Sequence, residues 1–179
     1  KIARKNSMEV RLVAPTNNAS DLMQQKSQVE AETIHSAIYT TVEINDGESI
    51  RFKAKHVEES EACVWFVDES SLITSVQSQG VAFSTPGPVL NDLIEYVRAS
   101  NSANKIVFIG DSFQLPPVKE SEARALNAQY LSQTYGLVCQ EVELTEIMRQ
   151  AEGSDIICRV TEVRDAISEG KRSFNERLS

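Results

Sequence analysis

Two adjacent carboxylates, Asp68 and Glu69, follow five apolar residues in a row, Cys63-Val64-Trp65-Phe66-Val67. A run so rich in aromatic and β-branched types reads as a strand buried on both faces, with the acids emerging at its C-terminal edge. Open α/β sheets place their ligands at that edge. An acid pair there can divide labour: Asp68 holds a hard divalent cation such as Mg²⁺ through water, and Glu69 accepts a proton from an attacking water. Taken alone, the same residues fit a strand that simply ends in a polar turn. A second run of the same build, Lys105 to Asp111, delivers another carboxylate at its end. Asp68, Glu69 and Asp111 are then expected on one rim, if the two strands lie parallel. Gln114 follows Asp111 in a loop stiffened by Pro116 and Pro117. Beside the acids it can sense a phosphate or orient a water.

The elements between these residues decide whether that rim exists. Val89 to Ala99 carries Leu90, Leu93, Ile94 and Val97 on one face, the pattern of an amphipathic helix. A helix between two strands implies a crossover connection and parallel pairing. Upstream, Glu9 to Ala14 reads as a strand ended by Pro15, with Thr16 as the N-cap of a helix over Asn17 to Gln25. Thr33 opens a short helical piece and His35 reads as a satisfied or surface histidine. From Thr41 to Lys53 the period changes to two around Asp46-Gly47, which predicts a hairpin turning near residues 45 to 48. Residues 74 to 89, with two glycines, two prolines and several Ser and Gln, read as a long loop beside the acid rim. Ser121 to Ser132 reads as helix, Leu137 to Leu144 as a further strand leading to Arg149, and Ser154 as the cap of a last helix of about fourteen residues.

Composition narrows the classes. The 179 residues are 41% apolar and 25% charged, which suits a folded domain rather than a disordered chain. No apolar run is long enough to span a bilayer and the basic start is no secretory signal, so an intracellular, cytoplasmic protein is expected. Cys63, Cys139 and Cys158 are far apart and read as reduced core or near-core residues. The net charge of −8 argues against a broad basic nucleic-acid surface, although single strands can be gripped locally by amides, hydroxyls and aromatics.

Five stretches together resemble the RecD-like and Dda-like branch of superfamily 1 helicases. They are Ala14-Pro15-Thr16-Asn17-Asn18-Ala19, Thr33-Ile34-His35, Val67-Asp68-Glu69-Ser70-Ser71, Ile109-Gly110-Asp111-Ser112-Phe113-Gln114-Leu115-Pro116-Pro117-Val118 and Glu143-Leu144-Thr145-Glu146-Ile147-Met148-Arg149-Gln150. They stand in the family's order, and the Gly-Asp-x-x-Gln-Leu-Pro-Pro-Val stretch is the most specific. The resemblance implies an α/β, RecA-like parallel sheet flanked by helices, occupying residues 1–40 and 59–179, with an inserted pin hairpin at 41–58. It implies that Asp68 helps hold Mg²⁺ on ATP, that Glu69 is the base, that Gln114 senses the γ-phosphate and that Arg149 stabilises the transferred phosphoryl. On the DNA side it implies single-strand contacts from Pro15, Thr16 and Asn17, then from Thr33 and His35. Phe52 on the pin is the candidate for stacking or wedging against a base at a duplex junction.

The chain departs from that pattern in two ways. No Gly-x-x-x-x-Gly-Lys-[Ser/Thr] loop occurs in it, and the family's second motor domain is missing. The expectation is a fragment of a 5′ to 3′ DNA helicase, holding neither ATP nor Mg²⁺ tightly and inactive alone, whose parent couples Mg-ATP hydrolysis to translocation and unwinding. Loss of the first strand would expose an apolar sheet edge and invite a non-native dimer. The rival readings are a non-catalytic module binding single strands or a protein, and a metal-dependent nuclease using Asp68, Glu69 and Asp111.

Overall fold

The computed structural model describes residues 8–43, 50–57, 61–77, 83–144 and 163–164. The chain divides into two units, Lys1–Cys139 and Gln140–Ser179, and the strands and helices discussed below all lie in the first. The centre is a four-stranded parallel sheet. Its strands are β1 (Glu9–Ala14), β2 (Ala31–Thr33), β5 (Cys63–Val67) and β7 (Lys105–Phe108), in the order β2-β1-β5-β7. Between the first two runs α1 (Asn17–Ser27), and α2 (Ile34–Ile38) follows β2 directly. Two strands, β3 (Tyr39–Glu43) and β4 (Ile50–Ala54), pair antiparallel as the expected ribbon, and a two-residue strand, β6 (Phe83–Ser84), pairs parallel with β4. Helix α3 (Val89–Ser100) lies in the crossover from β5 to β7, and α4 (Ala128–Tyr135) comes last. This is the α/β, RecA-like arrangement, a parallel sheet with flanking helices and a small ribbon.

Local chemistry sets the boundaries. Thr16 caps α1 by accepting from the Ala19 amide at 3.3 Å, and Thr33 caps α2 by accepting from the Ser36 amide at 3.0 Å. Thr33 is also the last residue of β2 and Thr16 lies two residues past the end of β1, so strand passes quickly to helix. Helix α3 buries Val89, Leu90, Leu93, Ile94 and Val97 against Val13, Cys63, Trp65 and Val67. Each such aliphatic side chain contributes about 1.5 to 3 kcal/mol on burial. Trp65 meets Tyr96 of α3 edge-on at 6.2 Å between ring centres, and Arg11 lies 5.7 Å above the indole.

Several elements differ from the sequence reading. In β5 only Cys63, Trp65 and Val67 are fully buried, with Val64 and Phe66 half-buried. In β7 Ile106 and Phe108 are half-buried while Lys105 and Val107 are exposed. The reason is position: among the described residues β7 has a neighbour on one side only, so it cannot be buried all round as a central strand is. The helix expected over Ser121 to Ser132 is a single 3₁₀ turn, Arg124–Leu126, followed by α4. Asn127 separates them because its side chain accepts from the Tyr130 amide at 2.8 Å and caps α4. The strand expected over Leu137 to Leu144 does not form. Val138, Val142 and Leu144 are exposed, since alternating apolar residues make a strand only where a neighbour supplies the ladder. Cys139 lies in that stretch and is exposed rather than in the core, whereas Cys63 is buried. The 74–89 stretch is not all loop, because it contributes β6. The hairpin turn near 45 to 48, Arg149 and Cys158 lie outside the described residues, as does most of the last expected helix. No helix among the described residues is long and apolar enough to cross a membrane.

Candidate functional site

Parallel pairing brings four strand ends to one rim. Val13 of β1 stands opposite Val67 of β5, Ala14 opposite Thr33 of β2, and Val67 opposite Phe108 of β7. The rim therefore carries, in order, Thr33, then Pro15 and Thr16, then Asp68 and Glu69, then Asp111. Pairing continues past the strands proper. The Asp68 amide donates to the Val13 carbonyl at 3.0 Å, the Ile109 amide to Val67 at 2.8 Å, and the Ser70 amide to Ile109 at 2.8 Å.

The acid pair sits in a tight bend. Asp68 Oδ1 accepts from the Glu69 amide at 3.0 Å, and Glu69 takes the left-handed conformation at φ 49° and ψ 39°. A 3₁₀ turn, Ser70–Leu72, follows at once, its first hydroxyl donating to the Val67 carbonyl at 2.7 Å. Both carboxylates are half-buried. Gly110 makes the close approach possible: a Cβ there would lie 3.0 Å from the Ser71 nitrogen and 3.2 Å from the Ser70 nitrogen. Half-buried Asp111 accepts from the Phe113 amide through Oδ1 at 3.0 Å, and exposed Gln114 donates its amide to the Asp111 carbonyl at 3.1 Å.

A residue that the sequence reading passed over fixes the loop carrying Gln114. Glu120 Oε1 accepts from the Ser75 amide at 2.8 Å and from the Thr74 hydroxyl at 2.9 Å, and Oε2 accepts from the Ser75 hydroxyl at 2.5 Å. Arg124 donates to that same Ser75 oxygen at 3.2 Å, its guanidinium 5.0 Å from the Tyr130 ring centre. One carboxylate thus ties the end of the 111–120 loop to the segment leaving the acid pair. Hydrogen bonds to a charged acceptor contribute about 1.5 to 3 kcal/mol each when sheltered, less when wet. Glu120→Ala is therefore expected to lower stability by about 1 to 3 kcal/mol, read as a lower urea midpoint with unchanged slope. No sequence motif marks Glu120; the only hint is its closeness to the Pro-Pro segment.

The DNA-side candidates fall into two groups. Pro15 is half-buried and Thr16 and Asn17 are exposed at the start of α1, while Thr33 is half-buried at the start of α2. His35 and Phe52 meet in one aromatic cluster. The His35 ring lies 5.5 Å from Tyr39 and 5.3 Å from Phe52, and Tyr39 and Phe52 are 5.7 Å apart. Phe52 is half-buried and packs against the core, so it belongs to an inward-facing aromatic cluster. Burial lowers the His35 pKa below its ordinary 6.5. The unfolded chain then binds a proton more readily than the folded one, so this group's contribution to stability is present above about pH 6.5 and falls as pH drops below it. His35→Gln is expected to flatten that part of the acid limb in melting curves measured between neutral and mildly acidic pH. Identical limbs would count against the assignment.

Tyr39 anchors the ribbon's root. Its hydroxyl donates to Asp92 Oδ2 at 2.6 Å, and the Gly87 amide donates to the same oxygen at 3.1 Å. Burial first, and the Asp92 carboxylate second, hold the phenol well above its ordinary pKa. The ribbon, the segment after β6 and the first turn of α3 meet at one oxygen atom.

A family model described as an AAA domain matches residues 1–176. The chain belongs to the AAA domain family. No curated protein matches it. AAA domains are P-loop NTPases and generally use ATP with Mg²⁺. The residues of this AAA domain suit that ligand in part. Asp68 and Asp111 are hard oxygen donors on one rim, appropriate to a hydrated Mg²⁺, and Glu69 stands beside them. The phosphate cradle is not among these 179 residues, which contain no Gly-x-x-x-x-Gly-Lys-[Ser/Thr]. Among the described residues no three His, Cys, Asp or Glu side chains gather as a metal site.

Proposed function

We propose that this AAA domain is part of an ATP-dependent DNA motor, a 5′ to 3′ helicase of the RecD-like and Dda-like kind, in which Mg-ATP hydrolysis drives movement along single-stranded DNA. The observation that supports the reading is the shared rim: the acid pair and Asp111 stand beside the strand ends bearing Pro15, Thr16 and Thr33. Nucleotide chemistry and strand contact on one sheet edge let a change at the phosphate shift the residues that touch DNA.

In this reading Glu69 takes the proton of the attacking water and Asp68 orients the water shell of Mg²⁺, whose charge offsets that of the β- and γ-phosphates. Gln114 reports the γ-phosphate, and its loop is held to the acid segment by Glu120. Arg149 stabilises the transferred phosphoryl, a role suited to an always-charged planar fork. Pro15, Thr16, Asn17 and Thr33 contact the single strand. His35 and Phe52 set the ribbon against the domain through their shared cluster. In this reading turnover of ATP needs a phosphate loop and a second motor domain besides these 179 residues, which alone do not turn over ATP.

The test is ATP hydrolysis by the intact protein with and without single-stranded DNA, together with unwinding of duplexes bearing a 5′ or a 3′ tail. Hydrolysis stimulated by the strand and unwinding from the 5′ tail alone are expected. Strand binding without any hydrolysis would favour the non-catalytic module instead.

A further inference from the structure

We propose that Tyr39 and Asp92 are positioning residues that couple strand contact on α2 to hydrolysis, through hydrogen bonds that cross the first turn of α3 to Glu120 and the loop of Gln114. In the motor reading, on which this inference rests, the shared rim is then one of two routes between DNA and nucleotide.

The route begins at α2. Thr33 caps this helix, His35 lies in it, and Tyr39 follows without a gap, its amide donating to the His35 carbonyl. The Tyr39 ring lies 5.5 Å from the imidazole and the residue is 3% exposed, so the phenol must find its partner inside the protein. That partner is Asp92 Oδ2, which accepts from the hydroxyl at 2.6 Å. A charged acceptor makes this the short, strong kind of hydrogen bond. Around it the two helices share an apolar core, to which α2 gives Ile34, Ala37 and Ile38 and α3 gives Leu90, Leu93 and Ile94. Apolar burial holds elements together without direction. The hydroxyl–carboxylate bond is what fixes how α2 sits against the start of α3.

Asp92 passes that constraint on. Its Oδ2 also accepts from the Gly87 amide at 3.1 Å, and its own amide donates to the Pro88 carbonyl at 3.0 Å, so α3 starts in a closed turn. Within the same turn the Leu90 amide donates to the Thr74 carbonyl at 3.1 Å. Thr74 and Ser75 are the two residues that the Glu120 carboxylate clasps. From Glu120 back to Gln114 the chain is stiff. Pro116 and Pro117 have fixed φ angles, and the Glu120 amide closes a turn on the Pro117 carbonyl at 3.0 Å. Lys119, inside that turn, takes the left-handed conformation at φ 72°. A lysine stays there only where its surroundings hold it, and the clasp on the next residue is such a restraint. A shift of α2 on a bound strand therefore reaches Gln114 by way of α3, without passing along the sheet edge.

The experiment uses the intact protein and measures ATP hydrolysis without DNA and across a series of oligo(dT) concentrations, together with direct binding of labelled oligo(dT). The parent is compared with Tyr39→Phe, Glu120→Ala and the double variant. Phenylalanine keeps the ring and its packing and removes only the hydroxyl. Tyr39→Phe is expected to leave basal hydrolysis and oligo(dT) affinity within about twofold of the parent while lowering the saturated, strand-stimulated rate about fivefold. Glu120→Ala opens the route at its other end and is expected to lower the stimulated rate by at least as much. Because the two residues act in series, the double variant should lose no more stimulation than Glu120→Ala alone. Asp92→Asn keeps an acceptor oxygen for Tyr39 and Gly87 and should retain most of the stimulation. Melting curves keep each assay below the onset of unfolding, where a merely structural defect lowers basal and stimulated rates together. Full stimulation in Tyr39→Phe, equal falls in its basal and stimulated rates, weakened oligo(dT) binding that accounts for the fall, or losses that multiply in the double variant each overturn the route and leave the motor reading in place. A parent protein without strand-stimulated hydrolysis overturns both.

Discussion

Glu69→Gln in the intact protein is expected to leave ATP affinity within a few-fold of the parent while slowing hydrolysis by at least about two orders of magnitude, the usual contribution of a general base. The substitution keeps the size of the side chain and its place after Asp68, whose carboxylate still accepts from the backbone amide of residue 69. What it removes is the capacity to take a proton. Binding and turnover must therefore separate: nucleotide titration should be nearly superimposable, and single-turnover hydrolysis should collapse. Retained hydrolysis would reassign the base, and loss of both would show that Glu69 holds the bend rather than the proton.

The second large effect is expected at Gly110. Its backbone passes so near the turn after the acid pair that a Cβ would meet the Ser71 nitrogen at 3.0 Å, the Leu126 Cδ1 at 3.1 Å and the Ser70 nitrogen at 3.2 Å. The leucine can swing aside, but the two nitrogens belong to the backbone, and Ser70 is engaged with Ile109 at 2.8 Å. Gly110→Val should therefore push the ends of β5 and β7 apart. Overpacking of this kind costs about 1 to 3 kcal/mol, or roughly 2 to 4 °C in Tm per kcal/mol for a chain of this size. Because Asp68, Glu69 and Asp111 ride on the displaced ends, hydrolysis by the intact protein should fall about tenfold even where the fold survives, since small misplacements of catalytic groups are costly. A variant that melts early yet keeps full turnover when folded would show that the spacing of the acids is not set here.

The parts of this molecule that could be read from residues alone are those where one segment carries its own signal. β5 and β7 are apolar runs ending in acids, α3 has a one-sided apolar stripe, and the ribbon alternates around Asp46-Gly47. β2 and β6 have three and two residues, too few for any period to show. The apolar residues after Leu137 alternate as a strand should, but pairing is a property of two segments and only one is visible in a sequence. Asn127 was a legible cap, three residues before Tyr130, yet the helical composition around it masked the break. The rim followed from crossover logic. The clasp at Glu120 and the inward turn of Phe52 did not, because each depends on which distant side chain arrives opposite.

The left-handed backbone at Glu69 restricts what can be installed there. Glycine, asparagine and aspartate tolerate that region of conformational space, whereas valine, isoleucine and threonine resist it because their branched Cβ crowds the main chain. A randomised codon at position 69 would therefore return two kinds of inactive clone. Some keep the bend and lose only the chemistry, while others lose the bend and with it the alignment of both neighbouring strand ends, so a count of dead variants would overstate how many distinct chemical demands the position makes.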